Sequence, residues 1–451
     1  YNLMQDIKKI FDPKNLLNPG IIINKNPLAH IENLKPLPKT NPIVDKCTEC
    51  GFCETSCPSK DLTLTPRQRI VIQREISRLR STNENPARLR QMEDDYIYQG
   101  ELTCAVDGMC ATTCPVAINT GELTKALRRF NSRDGRTQKW ASRIAGKFDR
   151  VAGILRMGLK IGHLAHTLLG SRRMEKVTRL ARRTSGNRIP LWSRYMPRGV
   201  DSPLGNSVHH SSPLQVVYFP SCISRTMGPA KGDPDQDPLH EVTLRVLFRA
   251  GSDIIYPENM NRLCCGTPFE SKGLMEQADM KAAELEEALM KATSGGKLPV
   301  LCDTSPCLHR MRQVMNPVLH LYEPVEFIHA YLMDKLTFAP LPRTVAIHTT
   351  CSSIKMGLAD KFRAVAQACA REVIVPQGVG CCGFAGDRGF THPELNESAL
   401  NELRPAVTQA CSAGYSNSRT CEIGLSLHSG VYYKSILYLV DECTKSAQAK
   451  A

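Results

Sequence analysis

The sequence predicts an α+β multidomain chain: a helical cysteine-rich domain, a basic helical linker, and then two repeated α/β modules. Three observations predict this. A four-cysteine run from Cys47 to Cys57 has a near-copy from Cys104 to Cys114. Residues 121–200 hold 20 Lys/Arg against 4 Asp/Glu, with apolar residues between them at helical spacing. From residue 214, short β-branched runs alternate with helical stretches, and the whole pattern occurs twice.

At 451 residues the chain has room for two to four domains of ~100–200 residues. With 42% hydrophobic and 23% charged residues, wholesale disorder is excluded. No apolar run reaches the ~18–20 residues of a membrane span; the longest, Val151 to Gly170, is broken by Arg156 and Lys160. Nineteen cysteines without a secretory signal, an odd count, argue against a closed disulfide framework. They read as metal ligands or reactive thiols in a reducing, cytoplasmic compartment. The first residue is Tyr1 rather than Met, which predicts a processed chain or a fragment.

The elements follow in order. Residues 1–24 predict an amphipathic helix (Leu3, Met4, Ile7, Ile10) stopping near Pro13, a turn at Asn18-Pro19-Gly20, and a strand-like Ile21 to Ile23. Residues 25–45, with four prolines, read as a linker. Residues 46–120 form the cysteine-rich domain. Its central helix is announced by an N-cap at Thr65, Pro66 at the first helical position, and the apolar Ile70, Val71, Ile72, Ile76 and Leu79.

Residues 121–213 are the basic linker, expected to form one or two amphipathic helices carrying Ile154, Leu155, Met157, Leu159, Ile161 and Leu164. Such helices pack on neighbouring domains, dock an acidic partner, or make peripheral contact with a membrane. No helix-turn-helix, zinc-finger or RNA-binding signature accompanies the charge, so no nucleic acid is expected. Residues 201–213, including His209 and His210, read as a solvated stretch.

Residues 214–335 and 336–451 are the two modules. Expected strands are 216–219, 253–256, 300–302, 345–348 and 373–375. Expected helices are 238–250, 275–291 and 394–411. The first copy runs Cys222, then Cys264-Cys265-Gly266, then Cys307; the second runs Cys351, Cys381-Cys382-Gly383, Cys421. Cys369, Cys411 and Cys443 fall on expected helices and read as small buried hydrophobes. His348 reads as a core histidine or a donor behind the Cys351 loop.

Cys47, Cys50, Cys53 and Cys57-Pro58 match C-x2-C-x2-C-x3-C-P, the bacterial ferredoxin run. A structural zinc site would instead use paired knuckles. In the near-copy, Asp107 stands where the second cysteine would be, between Cys104 and Cys110, with Cys114-Pro115 closing it. By the crossed-ligand rule, cluster one would use Cys47, Cys50, Cys53 and Cys114. Cluster two would use Cys57, Cys104 and Cys110, with Asp107 at the fourth corner. A carboxylate is a harder ligand than thiolate, so this site predicts an Asp-ligated [4Fe–4S] or a [3Fe–4S] cluster. The alternative is one cluster only.

The two repeats resemble the CCG cysteine-rich modules of heterodisulfide reductase B-type and glycolate oxidase iron–sulfur subunits. That family usually ends each module in C-x2-C. Here Thr304 and Ser418 stand at the first of those positions. The four-cysteine sets Cys222, Cys264, Cys265, Cys307 and Cys351, Cys381, Cys382, Cys421 would each hold a further iron–sulfur or zinc centre, or remain free thiols.

The opening Phe11-Asp12-Pro13-Lys14-Asn15-Leu16-Leu17-Asn18-Pro19-Gly20 resembles the end of an FAD-linked oxidase C-terminal domain of the D-lactate, glycolate and D-2-hydroxyglutarate dehydrogenases. In large fused members that ending precedes a two-cluster ferredoxin unit and two CCG modules, the order seen here. The resemblance implies a helical two-cluster ferredoxin domain, a basic linker and two α/β CCG modules.

It also implies a fragment whose FAD and catalytic residues lie upstream, so no catalytic residue is assigned. FAD would oxidise a D-2-hydroxy acid, and clusters would pass electrons to a quinone, cytochrome or ferredoxin. Localisation would be cytoplasmic or peripheral on the cytoplasmic membrane face. The rival readings are a thiol–disulfide enzyme like heterodisulfide reductase and a zinc-binding scaffold.

Overall fold

The computed structural model describes residues 1–32, 37–186, 189–200, 214–407 and 411–448. The stretch 201–213, with His209 and His210, lies outside the described residues.

The first element is a helix, Asn2–Phe11, that buries none of its residues. The strand expected at Ile21 to Ile23 is not formed; these residues bend through solvent, and Ile21 and Ile22 are exposed. An extended segment needs a neighbouring strand for its backbone groups, and none lies alongside among the described residues.

The cysteine-rich domain is built around the helix Pro66–Thr82. Thr65 and Gln68 cap it reciprocally, side chain to backbone in both directions. Its inner face packs Ile70 against Val44, Ile118 and Leu123. Leu123 comes from the helix Thr120–Asn131, which straddles the boundary expected at residue 120.

The basic segment forms more helices than the one or two expected: Gly135–Gly146, Phe148–Leu169 and Ser171–Thr184 follow Thr120–Asn131. Asp134 caps the first of these by accepting from the Thr137 N–H, and Gly170 at φ +75 separates the last two. Phe148–Leu169 packs one face on the short strand β1 (Pro197–Gly199). Its other face leaves Ile154, Met157, Ile161, Leu164 and Leu168 exposed.

The repeat predicted from cysteine spacing is a repeat of topology. The first module has β2 (Leu214–Phe219), β4 (Ser252–Ile255), β5 (Val300–Cys302) and β6 (Leu321–Tyr322), all parallel in the order β4-β2-β5-β6. The second has β7 (Leu341–Ile347), β8 (Ala370–Ile374), β9 (Cys411–Ser416) and β10 (Tyr433–Ser435), parallel in the order β8-β7-β9-β10. In each, the first strand is central and its C-terminal end leads into the first cysteine. A further strand, β3 (Met227–Ala230), pairs antiparallel with β1. The modules share one core: the helices Leu239–Arg249 and Ile436–Gln448 pack together and are tied by Arg245 and Arg249 to Asp441.

The helix expected over 394–411 is instead two short helices, Pro393–Ala399 and Leu403–Ala406, followed by β9. Pro405 cannot donate a helical hydrogen bond and stops continuation. Cys411 therefore opens a strand rather than lying on a helix. Cys369 and Cys443 do lie on helices; both are buried and in contact with each other. Among the described residues, no helix is long and apolar enough to cross a membrane.

Candidate iron–sulfur and thiol sites

Cys47, Cys50, Cys53 and Cys114 line one cavity of about 50 Å3, with Ile70 and Ile118 behind them. The tight loop from Cys47 to Cys53 turns on Glu49 and Gly51, both at positive φ. It is pinned by buried Arg74, which pairs with Glu49 at 2.8 Å and donates to the Cys47 carbonyl at 2.9 Å. Cys114 arrives from the other half of the domain, after the short helix Met109–Thr113. The Glu49 N–H donates to Cys47 Sγ at 3.4 Å. Burial, with Cys47 and Cys114 adjacent, pushes the Cys53 thiol up to about 11. Four thiols around one cavity, with a backbone donor aimed at sulfur, suit a cluster more than free thiols.

Cys57 and Cys104 meet at Arg69, and Cys110 lies within reach of Cys104. Arg69 is 1% exposed and has no carboxylate partner among the described residues. Its Nη1 donates to Cys57 Sγ at 3.5 Å, Nη2 to Ser59 Oγ at 2.7 Å, and Nε to the Gly100 carbonyl at 2.9 Å. Burial works to discharge Arg69, but Cys104 and Cys57 outweigh it and keep it protonated. Burial raises the Cys110 thiol to about 11, with Asp107 and Cys104 adding to it.

Asp107 lies between two sites. Its Oδ1 accepts from the Met109 N–H at 3.1 Å. Its Oδ2 is out of solvent without a hydrogen-bond partner. Its charge acts on Cys110 and also on Cys351 and Cys381 of the second module. The helices Met109–Thr113 and Cys351–Lys355 pack together there. An orphaned buried carboxylate oxygen beside thiols fits a metal ligand, from either neighbouring set.

In the first module Cys222 and Cys264 place their sulfurs 3.9 Å apart, and Cys265 contacts Cys264 and Cys307. Hydrogen bonds from neighbouring thiols hold Cys222 and Cys265 below the ordinary thiol value. The Gly266 N–H donates to Cys264 Sγ at 3.4 Å, as the Gly383 N–H does to Cys381 Sγ in the second module. Both glycines sit at positive φ against a helix backbone, where a Cβ would collide: Gly266 with the Ala278 carbonyl, Gly383 with that of Leu395. This is why glycine follows each cysteine pair.

Thr304, at the position of the family's fifth cysteine, shares a hydrogen bond with Ser221 and donates to Asp303. The second set is linked in sequence, Cys351 to Cys381 to Cys382 to Cys421. Cys351 is pushed well above the ordinary thiol value by its hydrogen bond to Cys381 and by burial.

The modules differ in charge. Buried Arg225 follows Cys222 by three residues and faces Cys222 and Cys264; Ile354 occupies the matching place after Cys351. Arg69 and Arg225 are not evident as site residues from the sequence. The only signal for Arg69 is a cation among the apolar residues of a capped helix. His348 is a buried core residue beside Ser416, held neutral at about 4 by burial. Among the described residues, no group of three or more His, Cys, Asp or Glu side chains is gathered for a single metal ion. A zinc site would need four ligands about 2.0–2.3 Å from one point.

Comparison with known families agrees with this geometry. Residues 43–118 match the 4Fe-4S dicluster domain, residues 216–312 and 345–425 the cysteine-rich CCG domain, and residues 1–22 the C-terminal domain of FAD linked oxidases. The chain carries an iron–sulfur dicluster domain and two CCG modules.

It is similar to one of the subunits of anaerobic glycerol-3-phosphate dehydrogenase from Escherichia coli K12, 25% identical over 187 residues, 39% of this chain and 45% of the relative. It therefore spans under half of that relative's length. It is also similar to the glycolate oxidase iron-sulfur subunit of the same organism, 24% identical over 421 residues, 86% of this chain and 89% of the relative. Lactate utilization protein A 1 of Bacillus mycoides is 22% identical over 203 residues, 42% of this chain and 78% of that protein. These relatives include, by name, a subunit of a dehydrogenase and an iron–sulfur subunit of an oxidase.

Proposed function

We propose that this chain is the electron-transfer portion of a flavin-dependent 2-hydroxyacid dehydrogenase, acting on a D-2-hydroxy acid such as D-lactate or D-2-hydroxyglutarate. The observation that carries the reading is the meeting of Cys114 with Cys47, Cys50 and Cys53 at one cavity, directly downstream of a segment that matches an FAD-linked oxidase ending.

When bound, [4Fe–4S] clusters supply one-electron chemistry, suited to draining a two-electron flavin in two steps. Cys47, Cys50, Cys53 and Cys114 would hold the first. Cys57, Cys104, Cys110 and Asp107 would hold the second, and the two CCG sets are candidates for further centres. Arg69 places positive charge against Cys57 and favours the more reduced state there. Asp107 adds negative charge toward the second module and works against it.

The partner is a flavin-bearing domain or subunit, for which the exposed apolar face of Asn2–Phe11 is the natural seat. The domain reading is 1–24, 25–45, 46–120, 121–213, 214–335 and 336–451, with the helix Thr120–Asn131 carrying the cysteine-rich core past residue 120. Quinone, cytochrome or ferredoxin are the acceptor classes, and residence is cytoplasmic or peripheral on the cytoplasmic face of the membrane. A thiol–disulfide reading draws support from Cys222, half-buried and 3.9 Å from Cys264.

The test is Cys53→Ser in the protein together with its flavin partner. Iron content should fall by one cluster, and transfer to an external acceptor should drop at least ~100-fold. Flavin reduction by substrate should persist. Full iron content and acceptor turnover would exclude the ligand assignment.

A further inference from the structure

We propose that the first CCG module carries a binding site for a small oxyanion, a carboxylate- or phosphate-bearing molecule, held by Arg150 and Arg156 above Arg225 and Cys222. The site goes beyond the electron-transfer reading and does not depend on it. These residues line a cavity of about 290 Å3 between the helix Phe148–Leu169 and the Cys222 loop, with Asp149 and Asn261 also on its wall.

The deep end is unusual in its charge. Arg225 is 6% exposed, and its nitrogens donate only to the backbone carbonyls of Pro220, Met260 and Leu263. No carboxylate pairs with it among the described residues. Arg156 is close enough that its charge acts on Arg225. Arg156 Nε is itself out of solvent without a hydrogen-bond partner. The approach is built in: Gly199 lies against the Arg156 carbonyl where any Cβ would collide, so the helix is held down at this residue.

Like charges held together away from water are costly unless something neutralises them. Cys222, Cys264 and the buried Asp303 act on Arg225 at the floor. Asp149, exposed, is the carboxylate on the cavity wall, and no ion pair joins it to Arg150 or Arg156 among the described residues. Three guanidinium groups against two carboxylates, Asp149 at the wall and Asp303 buried beneath Arg225, leave an excess of positive charge facing the space. The guanidinium fork matches carboxylate and phosphate oxygens two at a time. The Asn261 amide adds a neutral donor at the wall. At about 290 Å3 the space is near the lower end of ligand pockets and admits a small anion.

The test is calorimetric titration of the purified protein with inorganic phosphate and with D-lactate at fixed ionic strength, alongside sedimentation with anionic and neutral vesicles. Wild type should bind at least one of the free anions. Arg156→Gln and Arg150→Gln should each weaken that binding about 10-fold or more, the size of a lost charge-assisted hydrogen bond. Arg156→Lys, keeping charge without the fork, should fall between. Arg150 is exposed, so its variant keeps the test sound even if Arg156→Gln misfolds. No heat from either anion, equal heat in the glutamine variants, or binding only to anionic vesicles would each overturn the site.

Discussion

Arg69 shows how much one buried side chain can set. A guanidinium with no carboxylate partner among the described residues, donating to Cys57 Sγ and held protonated by Cys104 and Cys57, needs an anionic neighbour to be tolerable in the interior. A thiolate-ligated cluster is such a neighbour. Arg69→Met should lower the midpoint potential of the second cluster by about 60–130 mV, the one-electron equivalent of ~1.5–3 kcal/mol for a hydrogen bond to a charged group. Arg69→Lys, which keeps the charge, should recover much of the loss. Redox-poised EPR of the three proteins measures this, and an unmoved potential in Arg69→Met would place Arg69 outside the cluster's field. Asp107 acts in the opposite sense and is shared, since its charge reaches Cys351 and Cys381 as well as Cys110.

At the scale of elements, the helix Phe148–Leu169 is two-sided. One face is committed to β1, while Ile154, Met157, Ile161, Leu164 and Leu168 form an exposed stripe at three- and four-residue spacing. The next helix, Ser171–Thr184, exposes Val177 and Leu180 among Arg172, Arg173, Lys176 and Arg179. An apolar stripe bordered by cations is the pattern of a helix lying at an anionic bilayer surface. The protein should sediment with anionic but not neutral vesicles at low salt and release as screening rises. Ile161→Ser with Leu164→Ser should weaken that binding about 10-fold or more, at ~0.8 kcal/mol per buried CH2. Since both side chains are exposed, the fold should be unaffected. Equal binding by the variant would leave the stripe as a protein-docking face.

Across the whole molecule, the junction of the two modules holds a buried carboxylate. Glu323 of the first module caps the helix Pro324–Phe327 and accepts from Ser353 and Asn417 of the second. Burial raises it to about 7, against hydrogen bonds that lower it. Its folded value lies above the unfolded value of ~4.3, so its contribution to stability is greatest at low pH. Between about pH 4.5 and 7 the unfolded carboxylate ionises while the folded one must keep its proton, so stability falls as pH rises. It then levels off above about 7. Glu323→Gln should remove that fall, up to about 3 kcal/mol, seen as a smaller loss of thermal midpoint between pH 5 and pH 8. Comparison with wild type separates it from Glu422, which burial also raises to about 7 and which acts in the same direction, and from His309 and His348, whose values near 4 act in the opposite direction. An unchanged pH dependence would mean that Glu323 is ionised in the fold.

The sequence alone determined what depends on neighbours along the chain. Cysteine spacing places three thiols in one tight loop. Thr65, Pro66 and Gln68 start a helix whose cap is entirely local. Two strand–cysteine–glycine patterns in the same order imply two modules of equal topology, and the parallel orders β4-β2-β5-β6 and β8-β7-β9-β10 bear that out. Tertiary structure decided what depends on distant approach. Strand β9 displaced the expected helix because β7 and β10 stood ready to pair with it, and Ile21 to Ile23 had no such neighbour among the described residues. Arg69 and Arg225 look like ordinary helix and loop cations until the fold removes their water and sets thiols beside them. The spacing of Asp107 shows it as an odd corner of one motif; only packing brings it within reach of Cys351, 244 positions along the chain. Spacing encodes which ligands share a loop, but burial and charge are properties of surroundings that the chain acquires only once it has folded.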